Sequence, residues 1–349
     1  MPPILQTFAQ SSPTGQEIRV PQRVSRRRAC MLALSAPLCA SSITSFAQGD
    51  WPQGQTVRIV VPFTPGSGTD VVARLVAEKL GPALNATVVV DNRPGAGGTL
   101  GAAMVAKAPA DGTALLVHSA GHVVNPSMYA NLPYDTLKDF AGITALASLP
   151  NVLVAQPGKF KDVRDLVAQA RAKPGTFNYA SAGNGSATHM NAEVFRHAAG
   201  IEAQHVPFKG TPEAMTETVA GRVDWFFAPM VSCLPLVKDG RLQALAVGTA
   251  RRSAVLPQVP TTVEAGVPNS EYLFWVGMLA PAKTPKPVID RLHAEVVKIL
   301  AAPDVTERLD RLGAEAMPMP AAAFDQFIAE QSQKAQQIVR AAGIKAEGK

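Results

Sequence analysis

Three loops of small residues hold the groups in this chain best suited to chemistry. They are Pro62-Phe63-Thr64-Pro65-Gly66-Ser67-Gly68-Thr69-Asp70, Asn92-Arg93-Pro94-Gly95-Ala96-Gly97-Gly98-Thr99 and Ser181-Ala182-Gly183-Asn184-Gly185-Ser186-Ala187-Thr188. Each follows a run suited to a buried strand and precedes a segment of helical period, which places it at a helix N-terminus. The first N–H groups of a helix have no acceptor within it and the backbone dipoles sum to a partial positive charge there, so glycines that admit close approach make an anion site. Ser67, Thr69, Ser181, Ser186 and Thr188 add hydroxyl donors. Taken singly, each loop reads more simply as a strand-to-helix turn, with Thr69 or Asp70 capping a helix. Two such loops facing each other from separate lobes would make a cleft that traps a small anion. The second loop is the weakest of the three, because Asn92-Arg93-Pro94-Gly95 also reads as a rigid turn, and Arg93 is as suited to pairing within the fold as to touching a ligand.

Catalytic signatures fail on inspection. Gly95-Ala96-Gly97-Gly98-Thr99-Leu100 lacks the third glycine of a dinucleotide fingerprint, and Gly66-Ser67-Gly68 is followed by Asp70 and Val71 where that fingerprint needs glycine. No Gly-Lys-Ser/Thr marks a nucleotide loop, and no Gly-x-Ser-x-Gly marks a nucleophile elbow. His118 and His122 are four apart but flank Ser119-Ala120-Gly121 at a strand end, which is poor metal-ligand geometry. Ser186, His189 and Asp224 are the residue types of a hydrolase, and their spacing gives no sign of a bonded triad. A hydrolase of small acid derivatives in the periplasm is the alternative function. No metal, no cofactor and no catalytic residue is expected.

The elements that must position these loops follow from periodicity. Val57–Val61 reads as a strand, and Val72, Leu75, Val76 and Leu80 then fall on one helical face. Ala86–Val90 and Ala114–Val117 read as further strands, with a small-residue helix over 99–107 between them. Two strand-like runs within 143–156 are split by Pro150, where the chain is expected to cross into a second lobe. There the pattern predicts helices over 162–172, 187–198 and 213–220, a short strand before Pro207, and strands over 177–180, 223–227 and 242–247. A loop rich in Pro, Thr and Gly over 256–268 precedes the apolar strand Leu273–Leu279. Helices over 288–300 and 324–342 close the chain. Alternation of strand and helix predicts α/β lobes, each a mainly parallel sheet covered by helices.

Residues 1–47 differ from the rest: Arg26-Arg27-Arg28, a mildly apolar run from Ala29 to Leu34, then Ser45-Phe46-Ala47. That is the layout of a secretory signal cleaved after Ala47, with Ser25-Arg26-Arg27 also compatible with twin-arginine export. The run is interrupted by Pro37 and serines, too short and too polar for a membrane span. Bulky Leu38 before Cys39 argues against a lipid anchor. Five arginines and one glutamate in this segment carry +4 of the total +6, so the remainder is near +2. Beyond the leader only Arg251-Arg252 forms a basic doublet, which excludes the dense basic patch that nucleic acid requires. Of three cysteines two lie in the leader, leaving Cys233 without a disulfide partner. About 300 residues exceed what one core usually supports. The expected division is residues 1–47 as leader, 48–149 with 272–349 as lobe 1, and 150–271 as lobe 2.

The first loop with Ala73-Arg74, the second with Asn92-Arg93-Pro94-Gly95-Ala96-Gly97-Gly98, and the third with Ala180 and His189-Met190 occur in an order that is itself informative. Val206-Pro207-Phe208-Lys209-Gly210 and Gly221-Arg222-Val223-Asp224 follow them. From about Trp51 onward the chain resembles the Bug family, the solute receptors of tripartite tricarboxylate transporters. The resemblance implies a type II periplasmic-binding-protein fold whose two lobes close over a ligand. It also implies that a small organic carboxylate is held by backbone N–H groups, hydroxyls and ordered water. Carried onto this sequence, the first-lobe residues are Phe63, Gly68, Thr69 and Asp70, and the second-lobe residues are Ala182, Gly183, Gly185, Ser186 and Thr188. Ser119, Lys209, Gly210 and Asp224 would border the cleft and help choose the distal end of the ligand. Ser67 stands where the family commonly has glycine, and Asn191 where glycine is frequent. The implied partners are inner-membrane transporter subunits or a sensor domain, with no nucleic acid, and the protein would not itself span a membrane.

Overall fold

A computed structural model describes residues 51–52 and 54–344. The leader read over residues 1–47 and its cleavage after Ala47 lie outside them. The chain runs β1 (Thr56–Val61), α1 (Gly68–Leu84), β2 (Thr87–Asn92), α2 (Thr99–Ala106), β3 (Ala114–Ser119), α3 (Gly121–Met128) and β4 (Phe140–Ser148). It continues through β5 (Asn151–Ala155), α4 (Val163–Ala172), β6 (Asn178–Ser181), α5 (Ala187–Ala199), β7 (Gln204–Pro207), α6 (Thr211–Val219), β8 (Trp225–Pro229), α7 (Met230–Lys238) and β9 (Gln243–Val247). It closes with β10 (Trp275–Pro281), α8 (Lys286–Leu300), α9 (Pro303–Arg311), β11 (Glu315–Ala316) and α10 (Ala321–Ala341).

These strands form two sheets, ordered β11-β4-β10-β3-β1-β2 and β7-β6-β8-β5-β9. The chain changes sheet between Ser148 and Asn151, and returns between Val247 and Trp275. Both sheets are mixed. In the first, β1 pairs parallel with β2 and β3, whereas β10 is antiparallel to β3 and β4. In the second, β6 pairs parallel with β7 and β8, whereas β5 is antiparallel to β8 and β9. Of the reversed strands, β5 and β10 are the first after each crossing, and the two-residue β11 also runs against β4. A strand of a β-then-α unit ends at the cleft, but a strand that has just crossed begins there, so it runs the other way.

Burial explains the elements. In α1, Val72, Leu75, Val76 and Leu80 are at most 3 % exposed, and Asn85 ends the helix in the left-handed conformation at φ 50°. Along β8 the side chains alternate: Trp225 and Phe227 join Phe160, Tyr179 and Phe195 on one face, while Phe226 and Ala228 join Val152, Val154 and Leu234 on the other. The first sheet carries a single core around β1, β3, β4 and β10, closed by α1, α8 and α10. Helices α3, α7 and α9 and strand β11 were not legible in the sequence. Pro126 and Pro235 interrupt the first two helices, and α9 buries only Val305 and Leu309.

Candidate functional site

The loop from β1 to α1 leaves its helix start open. Ser67 occupies the N-cap position, yet its hydroxyl does not cap α1; it accepts the Thr211 N–H at the start of α6, at 3.1 Å. The Asp70 carboxylate, buried at 2 % exposure, accepts from Gly66 N at 2.9 Å, Arg74 Nε at 3.0 Å and Asn92 Nδ2 at 2.8 Å. Asn92 Nδ2 also donates to the Phe63 carbonyl at 3.0 Å. Asp70 therefore fixes the loop, and only its N–H remains to serve a ligand. The N–H groups of Gly68 and Thr69 begin a 17-residue helix with no side-chain cap.

The loop from β6 to α5 is built the other way. Ala182 N donates to Thr188 Oγ1 at 2.9 Å, Gly183 N to Ser181 Oγ at 3.0 Å, Gly185 N to His189 Nδ1 at 3.1 Å, and Ser186 N to the Gly183 carbonyl at 3.0 Å. Ser186 Oγ caps its own helix by accepting His189 N at 3.2 Å. This corrects the expectation that the amides of Ala182, Gly183, Gly185 and Ser186 face the ligand, because an N–H already donating within the loop has nothing left to give. The open donors on this side are the N–H groups of Ala187 and Thr188, at the first turn of α5.

Both loops meet at two adjoining cavities. The inner one, about 10 Å³, is lined by Phe63, Ser67, Gly68, Thr69, Ser119, Ala182, Ser186, Ala187, Thr188, Thr211, Pro229 and Phe274. It carries no charged side chain, and α1, α5, α6 and α7 all begin at or beside it, so their positive ends converge there. The outer chamber, about 430 Å³, is lined by the 95–97 turn, Tyr129, Ala182–Asn184, Pro207–Lys209 and Glu213. Lys209 is its one cation and Glu213 its one carboxylate.

The lobes touch around these cavities. Thr64 Oγ1 donates to Glu213 Oε2 at 2.9 Å, Ser232 Oγ to the Gly66 carbonyl at 3.0 Å, and Tyr129 OH to the Asn184 carbonyl at 3.0 Å. Two glycines permit this approach. A Cβ on Gly97 would overlap the Asn184 carbonyl oxygen, and one on Gly210 would overlap Thr64 Oγ1. Gly210 thus acts by seating one lobe on the other.

Asp224 is a correction. It lies just before β8, whereas the cleft is reached at the other end of that strand, at Pro229. Its carboxylate is occupied by an ion pair with Lys159 and by the Asn178 N–H at 2.5 Å. The strand spacing, about 3.3 Å per residue, puts Asp224 a full strand length from the cavity at Pro229. Ser186, His189 and Asp224 therefore form no triad. Thr211, Pro229, Phe274, Tyr129 and Asn184 were missed. The signal for Thr211 was present, since Gly210-Thr211-Pro212 places a proline in the first helical turn.

Four histidines back the cleft, two in each lobe; His118, His122 and His189 are buried and His205 is partly buried. His118 and His122 pack against each other at 5.2 Å between ring centroids and against Phe63 and Phe140 edge to face. Burial holds His118 well below its ordinary pKa and His122 down to about 4. Their aromatic setting is that of core residues. In the other lobe burial lowers His189 to about 4 and His205 to about 2. Among the described residues no cluster of three or more His, Cys, Asp or Glu side chains is placed to hold a metal.

An uncapped helix start in one lobe and the open first-turn amides of a capped helix in the other, facing each other with hydroxyls between them across a twice-crossed hinge, define a two-lobed solute-binding protein. The chain belongs to the tripartite tricarboxylate transporter receptor family, whose sequence profile matches residues 72–344. It is 40 % identical over 292 residues to a protein of the tcbD-tcbE intergenic region of Pseudomonas sp. strain P51, covering 83 % of this chain and 86 % of that one. The solved structure of periplasmic binding protein BugD is 33 % identical with a TM-score of 0.80, covering 84 % of this chain and 99 % of that one. Rpa4515 of R. palustris, solved with adipate, is 32 % identical with a TM-score of 0.82, covering 85 % of this chain and all of that one.

Proposed function

We propose that this protein captures a small carboxylate-bearing solute in the periplasm, after export by its leader, and passes it to inner-membrane transporter subunits or a sensor domain. The observation that carries this reading is the inner cavity, where helix starts from both lobes converge with no carboxylate among them. The solute's carboxylate meets the N–H groups of Gly68, Thr69, Ala187 and Thr188 and the hydroxyls of Thr69, Ser119 and Thr211. The rest of the solute occupies the outer chamber, where Lys209 and Glu213 discriminate its distal end. Charge-assisted hydrogen bonds contribute about 1.5–3 kcal/mol each, so several suffice for micromolar binding at about −8 kcal/mol once association costs of several kcal/mol are met.

Thermal denaturation with a carboxylate panel, adipate included, and the matching neutral amides tests this. A solute that binds the native state raises the melting temperature. The expected result is a rise with an acid, no rise with its amide, and loss of the rise in Thr69→Val. Equal shifts from acid and amide would dismiss the carboxylate reading.

A further inference from the structure

Beneath the second-lobe loop lies a buried group that solute capture, as described, does not use. His189 accepts the Gly185 N–H on Nδ1 at 3.1 Å and stacks on His205 of β7, with ring centroids 3.9 Å apart and planes at 13°. Tyr179 of β6 stacks on both rings, at 6.3 Å and 5.0 Å. His205 Nε2 lies 2.6 Å from Ser181 Oγ, the hydroxyl that accepts the Gly183 N–H. Two imidazoles therefore hold two loop amides, one directly and one through a serine.

The two contacts differ in what they tolerate. A backbone N–H can only donate, so the nitrogen it meets must present a lone pair. His189 is thereby fixed as the neutral ring protonated on Nε2. A proton on Nδ1 would set N–H against N–H, and the bond to Gly185 would be lost. The Ser181 hydroxyl can rotate to donate or accept, so its contact with His205 survives either state. Around His189 stand Glu193 and Arg196 of its own helix, paired at 2.8 Å, Tyr179 of β6, whose hydroxyl donates to Glu193, and His205 of β7. Glu193 favours the imidazolium, while burial and Arg196 oppose it, and burial is the largest influence.

Gly185 is also where the loop meets the other lobe. It packs against Asn125 and Met128 of α3, and a side chain on Gly121 would press on the Gly185 carbonyl oxygen. We propose that His189 is a positioning residue: its neutral ring pins Gly185 so that the loop both lines the cleft and seats against α3, and protonation of Nδ1 unseats the loop and weakens solute binding. The link to solute binding rests on the receptor reading above, whereas the pinning of the loop does not.

The test follows hydrogen exchange of the Gly185 amide in the whole protein, corrected for intrinsic exchange, while the His189 ring is titrated by NMR in the same sample. Protection of Gly185 is expected to fall about tenfold per pH unit below the His189 midpoint. His189→Gln supplies an amide oxygen that cannot be protonated, so protection persists and the pH dependence flattens. His189→Phe keeps the stack without an acceptor, so Gly185 exchanges fast at every pH and adipate affinity drops at pH 7. Gly185 protection that ignores the His189 titration, or that survives in His189→Phe, overturns the proposal. Loss of protection with adipate affinity unchanged overturns its link to capture. Exchange needs no solute, so failure of the carboxylate reading leaves the pinning of the loop independently decided.

Discussion

The two cleft loops look alike in sequence and are used in opposite ways. Both end a strand, both are rich in glycine, and both place a serine at a helix N-cap. In the second lobe Ser186 caps its own helix and the loop amides close on one another, giving a rigid platform. In the first lobe Ser67 turns away from its helix to bind Thr211 of the opposite lobe, leaving α1 open. One serine stabilises its own lobe; the other couples the lobes and exposes the anion site. A cap residue is therefore not evidence of a capped helix.

The largest predicted effect comes from the histidines behind the loops. His122 and His189 each sit near 4 in the fold, against 6.5 when unfolded. Between these values the unfolded chain binds protons that the folded one refuses. Stability is full above about pH 6.5 and declines until about pH 4, by a few kcal/mol per histidine. Urea midpoints measured across that window should fall steadily. His189→Gln should flatten part of the fall and leave the share due to His205 and the first-lobe histidines; an unaltered profile would remove His189 from the account. Next in size is Gly210→Ala. Its backbone is extended at φ −174°, so alanine brings no strain, but its Cβ must displace Thr64. Solute affinity should drop on the order of 100-fold, about 2.7 kcal/mol, with the melting temperature of the free protein nearly unchanged.

Much of this was legible in the sequence. The leading strands and helices followed from apolar period, and the three loops from glycines after strands. Ser119 lines the inner cavity and Lys209 the outer chamber, and Ser67 and Ser186 both stand at helix N-caps. What was not legible depends on pairing between distant segments. Nothing near Ser67 tells that its hydroxyl serves Thr211, 144 residues away. Asp224 lay in a matching motif, yet its position at the far end of β8 depends on which end of the strand faces the cleft. The weakest loop, Gly95–Gly97, lines the outer chamber because Asn184 from the other lobe closes over it.

The smallest effects test the comparison most directly, because the same substitution should read out differently in the two loops. Ser186→Ala removes a helix cap worth about 1 kcal/mol and should lower the melting temperature of the free protein by about 2–4 °C. Ser67→Ala removes one hydrogen bond between lobes, about 0.5–1.5 kcal/mol, and no cap. Its free protein should melt with the wild type, since each lobe keeps its own core. Its cost falls on the seating of one lobe against the other, so solute affinity should weaken by about three- to tenfold. Calorimetry and titration of both variants side by side decide the matter: a lowered melting point in Ser67→Ala would mean that its hydroxyl supports α1 after all, and the contrast between the loops would collapse.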